Sequence, residues 1–203
     1  MRIGLDFDGT VALYDSVFHG CAVEQFRMPP QIPMDKLAIR SWFWQTPKGR
    51  QEWIELQGIV YGARMSAAHV APGLERFLRL CLKMKISVSI ISHKTEFPVV
   101  GPGVNLRQAA CRWLEQNGFY DRLGIPRQEV FFEATRGEKI QRIVARGCSR
   151  FVDDLEEVFQ EPAFPAGVEK LLYVPGAQDR LEGDIKVFSS WDSIRNHFRK
   201  ATG

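Results

Sequence analysis

From position 71 onward the chain alternates short apolar, β-branched runs with stretches whose apolar residues recur every three or four positions. The runs are Ile86–Ile91, Val130–Phe132, Phe151-Val152, Leu171–Val174 and Ile185–Phe188, and Arg2–Leu5 precedes them all. Between them, Leu74, Phe77, Leu78 and Cys81 share one helical face, as do Leu106, Ala109, Ala110, Trp113 and Leu114. Residues Glu138–Arg146 predict a further helix closed by Gly147, and a last helix begins near Ser190. Strands joined through helices pair in parallel, because a parallel pair needs a crossover of a dozen residues or more.

The expected fold class is therefore α/β, a Rossmann-like parallel sheet with helices on both faces. One interval breaks the rhythm. Residues 13–70 carry helical periodicity and no strand signal, far beyond the few residues usual for a connection in an α/β unit. They predict an inserted small helical domain of two to four helices, leaving residues 1–12 and 71–203 as the α/β core. The insert interleaves Trp42, Phe43, Trp44, Trp53 and Tyr61 with Arg40, Lys48, Arg50 and Arg64, the mixture of an aromatic core with a solvated face.

Composition narrows the class. The 203 residues are 45% hydrophobic and 25% charged, the balance of a folded globular chain rather than a disordered one. A net charge of +3, with its bases dispersed, gives no strong nucleic-acid signal. No apolar run reaches the ~18 residues that cross a bilayer, so no membrane contact is expected. Two acids by position 8 do not suit a signal peptide, and none is expected. Cys21, Cys81, Cys111 and Cys148 stand far apart without metal-ligand spacing, which suits a reducing, cytoplasmic setting.

In an open parallel sheet, ligands bind beyond the carboxyl ends of the strands. Those ends carry Asp6 and Asp8 after the first strand, Ser92 after the second, and Asp153-Asp154 after the fourth, while Lys139 lies near the start of a helix. Two carboxylates ~5 Å apart repel by roughly 3 kcal/mol at an effective dielectric of 20. A cluster of them therefore calls for protonation or a cation, and an all-oxygen donor set suits Mg²⁺.

The run Asp6-Phe7-Asp8-Gly9-Thr10 resembles the DxDGT motif of the haloacid dehalogenase-like (HAD) superfamily, and Ser92, Lys139 and Asp153-Asp154 follow in the family's order. The insertion at 13–70 lies where family members with a C1-type helical cap carry it. The resemblance implies a Mg²⁺-dependent phosphatase that hydrolyses a small phosphorylated metabolite through an aspartyl-phosphate. Asp6 would be the nucleophile, Asp8 the general acid and base, and Lys139 the cation that neutralises charge on Asp6 and the transferring group. Ser92 would bind the phosphoryl oxygens, Thr10 would hold the motif loop and, with His93, contribute to the substrate-binding set. Asp6, the Asp8 backbone carbonyl and Asp154 would ligate the metal, with Asp153 supporting them. Arg136 and Lys94 are alternatives to Lys139 as the cation.

The enzymatic alternative is a phosphomutase of the β-phosphoglucomutase type, which shares these core residues. The second aspartate of the motif disfavours dehalogenation, because a departing halide needs no proton. A non-enzymatic phosphoacceptor or binding module is the remaining alternative. The expected partner is a small phosphorylated substrate, and the expected assembly a monomer or homodimer.

Overall fold

The chain opens with β1 (Arg2–Leu5), turns sharply, and continues through β2 (Ala12–Leu13) into three helices, α1 (Asp15–Phe26), α2 (Lys36–Phe43) and α3 (Gly49–Tyr61). Next come β3 (His69–Val70), α4 (Leu74–Lys83), β4 (Ser87–His93), α5 (Leu106–Gln116), β5 (Val130–Glu133) and α6 (Arg136–Ala145). The last third holds β6 (Arg150–Asp153), the single-turn α7 (Glu156–Phe159), β7 (Glu169–Tyr173), β8 (Ile185–Phe188) and α8 (Trp191–Ala201). This computed structural model describes residues 1–101 and 103–201; Pro102, Thr202 and Gly203 lie outside the described residues.

Six strands form one sheet in the order β5-β4-β1-β6-β7-β8, and every neighbouring pair is parallel. The α/β, Rossmann-like architecture expected from the sequence is the one observed. Alternate residues of a strand point to opposite faces. On one face Ile91, Phe151 and Leu172 pack with Ile140 and Ile143 of α6 and Val158 and Phe159 of α7. On the other, Tyr173 lies 5.6 Å from Trp191 of α8, and Phe77 of α4 lies 5.1 Å from both Trp191 and Phe198. Both faces are covered, as the continuous apolar runs of a parallel sheet require.

The chain divides into two compact units. One, Met1–Ala12 with Val70–Lys94 and Asn117–Gly203, carries the sheet. The other combines Leu13–His69 with Thr95–Gln116 and holds α1, α2, α3 and α5. Residues 95–116, expected in the α/β core, thus group with the inserted helices. Within that unit the Trp113 indole N–H of α5 donates to the Ala68 carbonyl at 3.0 Å. A side chain at Gly58 of α3 would place Cβ 2.7 Å from the Val100 carbonyl oxygen and 2.9 Å from Pro98, so their close approach needs that glycine's bare backbone. The aromatic residues of the insert form its core: Phe18 stacks on Trp53 at 5.2 Å, and Phe43 is fully buried. Trp44 is the exception, exposed with the Arg40 guanidinium 4.7 Å from its ring. Among the described residues no helix is long and apolar enough to cross a membrane.

At the edge where β6, β7 and β8 begin, Glu169 accepts from Lys186, Arg150 and His197. Burial alone would raise its pKa, but these donors outweigh it and bring the carboxyl down to about 2. Its folded pKa is depressed, so its contribution is present above the unfolded value near 4.5 and is lost as pH falls toward 2. Glu169→Gln is expected to cost about 1–2 kcal/mol at pH 7 for a partly exposed network. Thermal melts should show the gap between variant and parent at pH 7 and show it closing between pH 4.5 and 2.

Candidate active site

The site is built where the central strands end. In the sheet order β1 lies between β4 and β6, and the register sets Leu5 beside both Ile90 and Val152. The Asp6 N–H still donates to the Val152 carbonyl at 2.8 Å, which carries the strand one residue further and brings Asp6 alongside the last residues of both neighbours. Asp6 therefore meets Ser92 from β4 and Asp153 from β6, positions 86 and 147 residues away in sequence.

Beyond Asp6 the backbone closes on itself. The N–H groups of Val11 and Ala12 both donate to the Phe7 carbonyl, at 3.0 and 2.9 Å, and the Gly9 N–H donates to Ala12 at 2.9 Å. Gly9 turns this corner at φ +87°, which disfavours any residue with a Cβ. A Cβ there would also stand 2.2 Å from Asp154 Oδ2. The glycine is required twice, by the turn and by the acid that packs over it.

Asp6 is 4% exposed and lies in a dense network. Its Oδ1 accepts from Ser92 Oγ at 2.9 Å and from Lys139 Nζ at 2.6 Å. Lys139 also donates to Asp153 Oδ2 at 2.6 Å, so one ammonium bridges two carboxylates. It reaches them from the first turns of α6, a helix started by Thr135 and Glu138, whose side chains cap each other's backbone N–H. Burial, despite the offsetting charge of Lys139 and helped by Asp153, lifts the Asp6 pKa to about 7. Burial pulls the Lys139 ammonium the other way, but the charges of Asp153 and Asp6 win and hold its pKa above the ordinary lysine value.

The two acids that end β6 differ in their surroundings. Asp153 is fully buried, with Oδ2 on Lys139 and Oδ1 accepting from the Leu155 N–H at 3.1 Å. Asp154 is partly exposed and accepts from Thr10 Oγ1 at 3.3 Å. Carboxylate oxygens of Asp6, Asp153 and Asp154 lie within 4.8 Å of one another, the geometry of a candidate divalent-cation centre. Thr10, expected to hold the motif loop and contribute to the substrate-binding set, is fully buried with its hydroxyl on Asp154. In the structure it supports an acid of the cluster.

Asp8 is held differently. Both of its oxygens accept from Lys94 Nζ, at 2.9 and 2.6 Å. The sequence offers Lys94 only as an alternative to Lys139; the structure gives the two lysines separate carboxylates. A charge count offers the signal for a second cation: four acids against one lysine leave −3, more than a divalent ion neutralises. Arg136 pairs with Glu161 at 2.9 Å. His93 is exposed at the end of β4, and partial burial of its ring, together with the charges of Lys139 and Arg136, lowers its pKa, leaving it neutral at pH 7.

No protein-family model and no curated protein sequence matches this chain. Solved structures do. A HAD-superfamily hydrolase from Ehrlichia chaffeensis superimposes with a TM-score of 0.62 at 12% identity, over 100% of this chain and 97% of that one. A haloacid dehalogenase-like family protein from Streptococcus pneumoniae gives 0.62 at 14%, over 97% of each chain. A HAD family hydrolase from Deinococcus radiodurans with bound phosphate and sodium gives 0.60 at 12%, over 98% and 95%. The chain has a HAD-like fold. At such identities the likeness carries architecture, and chemistry has to be argued from the side chains.

Proposed function

We propose that this protein is a Mg²⁺-dependent phosphomonoester hydrolase acting through a phosphorylated Asp6. The observation that carries this reading is the surroundings of Asp6: a buried carboxylate on one serine and one lysine, converging with two further acids from another strand. Such a group of acids suits a hard divalent ion, since all donors are oxygens and the charge of Lys139 leaves the trio at −2. Asp6 and Asp154 would hold the ion with the Asp8 carbonyl. Asp153, with both oxygens engaged, would orient Lys139 and the loop after β6. When bound, Mg²⁺ would neutralise charge on the phosphoryl oxygens.

The protein's own groups divide the remaining work. A free oxygen lone pair of Asp6 attacks phosphorus, forming the Asp6–phosphorus bond as the bond to the alcohol oxygen breaks. Ser92 and Lys139 offer donors to the equatorial phosphoryl oxygens beside the nucleophile. Asp8 gives its proton to the departing oxygen and takes one back from the water that next attacks phosphorus, releasing inorganic phosphate and regenerating Asp6. The helical unit would act as the cap that selects the leaving group and excludes water. The bound phosphate of the Deinococcus protein agrees in kind with this reading.

Phosphate release over a panel of sugar, amino-acid and nucleotide monophosphates tests it. Turnover of at least one ester should disappear with EDTA and return with added Mg²⁺. Hydrolysis indifferent to chelation would remove the metal from the mechanism, and silence on every ester would remove the activity.

A further inference from the structure

Asp8 lies two residues from Asp6, yet among the described residues only Asp6, Asp153 and Asp154 bring their oxygens together as a metal-type cluster. The Asp8 carboxylate is turned to Lys94, which contacts both of its oxygens. Lys94 is built for that contact. Its side chain is 3% exposed, its backbone N–H donates to the Glu133 carbonyl at 2.9 Å, and its ammonium stands 5.6 Å from the Phe7 ring. Phe7 is fully buried and packs edge-on against Phe132 of β5 at 5.5 Å. Motif loop and strand end are thereby fixed to each other, and a two-point contact leaves the carboxylate plane little freedom.

We propose that Lys94 is a positioning residue for proton transfer: it keeps Asp8 out of the metal cluster and holds its carboxylate at the leaving-group oxygen. This rests on the reading of Asp6 and Asp8 given above. As the phosphorus–oxygen bond of the substrate breaks, its electron pair takes the proton of Asp8, and negative charge grows on a carboxylate already facing an ammonium. In the second half, water returns a proton to Asp8 as its oxygen bonds to phosphorus and the Asp6–phosphorus bond breaks. Lys94 itself neither gains nor loses a proton.

The test compares kcat/KM on two esters, 4-nitrophenyl phosphate, whose phenol leaves without help, and an alkyl phosphate that the wild type hydrolyses, whose alcohol needs a proton. A group that serves proton donation is worth about 10²–10⁴-fold where a proton is required. Lys94→Met should therefore lose ~100-fold or more on the alkyl ester and under ~10-fold on the aryl ester, as should Asp8→Asn. Lys94→Arg should recover much of the selective loss. Equal losses on both esters, or none, in Lys94→Met beside a selective loss in Asp8→Asn would overturn the role of Lys94 and leave Asp8 standing. An unselective Asp8→Asn would overturn the underlying reading. Circular dichroism checks folding, and if Lys94→Met does not fold, Lys94→Gln runs the same comparison.

Discussion

An Asp6→Asn variant should fold, bind a phosphomonoester and release no phosphate, a loss of ~10⁴-fold or more in kcat. Asparagine keeps the shape of the side chain and an acceptor oxygen for Ser92 and Lys139, which meet Oδ1 in the parent. It lacks the anionic oxygen that attacks phosphorus. Rapid acid quenching should trap labelled phosphate on the parent and none on the variant; turnover near the parent rate would give the nucleophile to another group. Stability should move the other way. Burial raises the Asp6 pKa to about 7, so folding favours the protonated acid and loses stability as pH rises from the ordinary 3.8 through 7. Without added metal, the asparagine variant should thus melt at or above the parent temperature at neutral pH, and the gain should shrink toward pH 4.

Why the sheet was legible and the pairing of charges was not follows from what each depends on. Ile86–Ile91 and Phe151-Val152 declare themselves by β-branched and apolar content, because a strand covered on both faces has no other use for such runs. Their carboxyl ends then locate Asp6, Ser92 and Asp153 on one rim without any coordinates. Past the last strand residue that logic stops. Lys94 and Thr95 follow the same strand end, and no periodicity tells that Lys94 is buried against Asp8 while Thr95 is exposed. That choice is made by tertiary contacts, the Phe7 ring and the Glu133 carbonyl. Asp153 and Asp154 are told apart in the sequence by the family resemblance alone, which favours Asp154 as the direct ligand. The physical ground for that distinction is the engagement of both Asp153 oxygens by Lys139 and the Leu155 N–H, beside a more open Asp154.

The boundary of the helical unit shows a related limit. Helix α5 has a clear apolar face in the sequence, but a face does not say what it covers. Its Trp113 meets the Ala68 carbonyl, and Pro98 and Val100 pack on α3 at Gly58, so a stretch late in the chain joins an insertion made early in it. The twelve-residue connection Lys94–Asn105 is the available hint, long for a link between strand and helix.

Lys139→Met is expected to damage the fold as well as the chemistry. The Lys139 side chain is buried between the buried carboxylates of Asp6 and Asp153, and its ammonium touches each at 2.6 Å. Its removal strands two buried carboxylates, a change that costs about 3–5 kcal/mol where one partner of a buried pair is deleted. For a chain of this length that is roughly 6–20 °C of melting temperature. The double variant Lys139→Met/Asp153→Asn separates the two roles. Neutralising Asp153 removes one of the stranded charges, so most of the lost melting temperature should return. Phosphate release should stay at least ~100-fold below the parent, since no ammonium remains beside Asp6 to offset its charge and that of the transferring group. Activity that recovered together with stability would make Lys139 a strut of the fold, and the neutralisation of the transferring phosphoryl group would then have to come from elsewhere in the site.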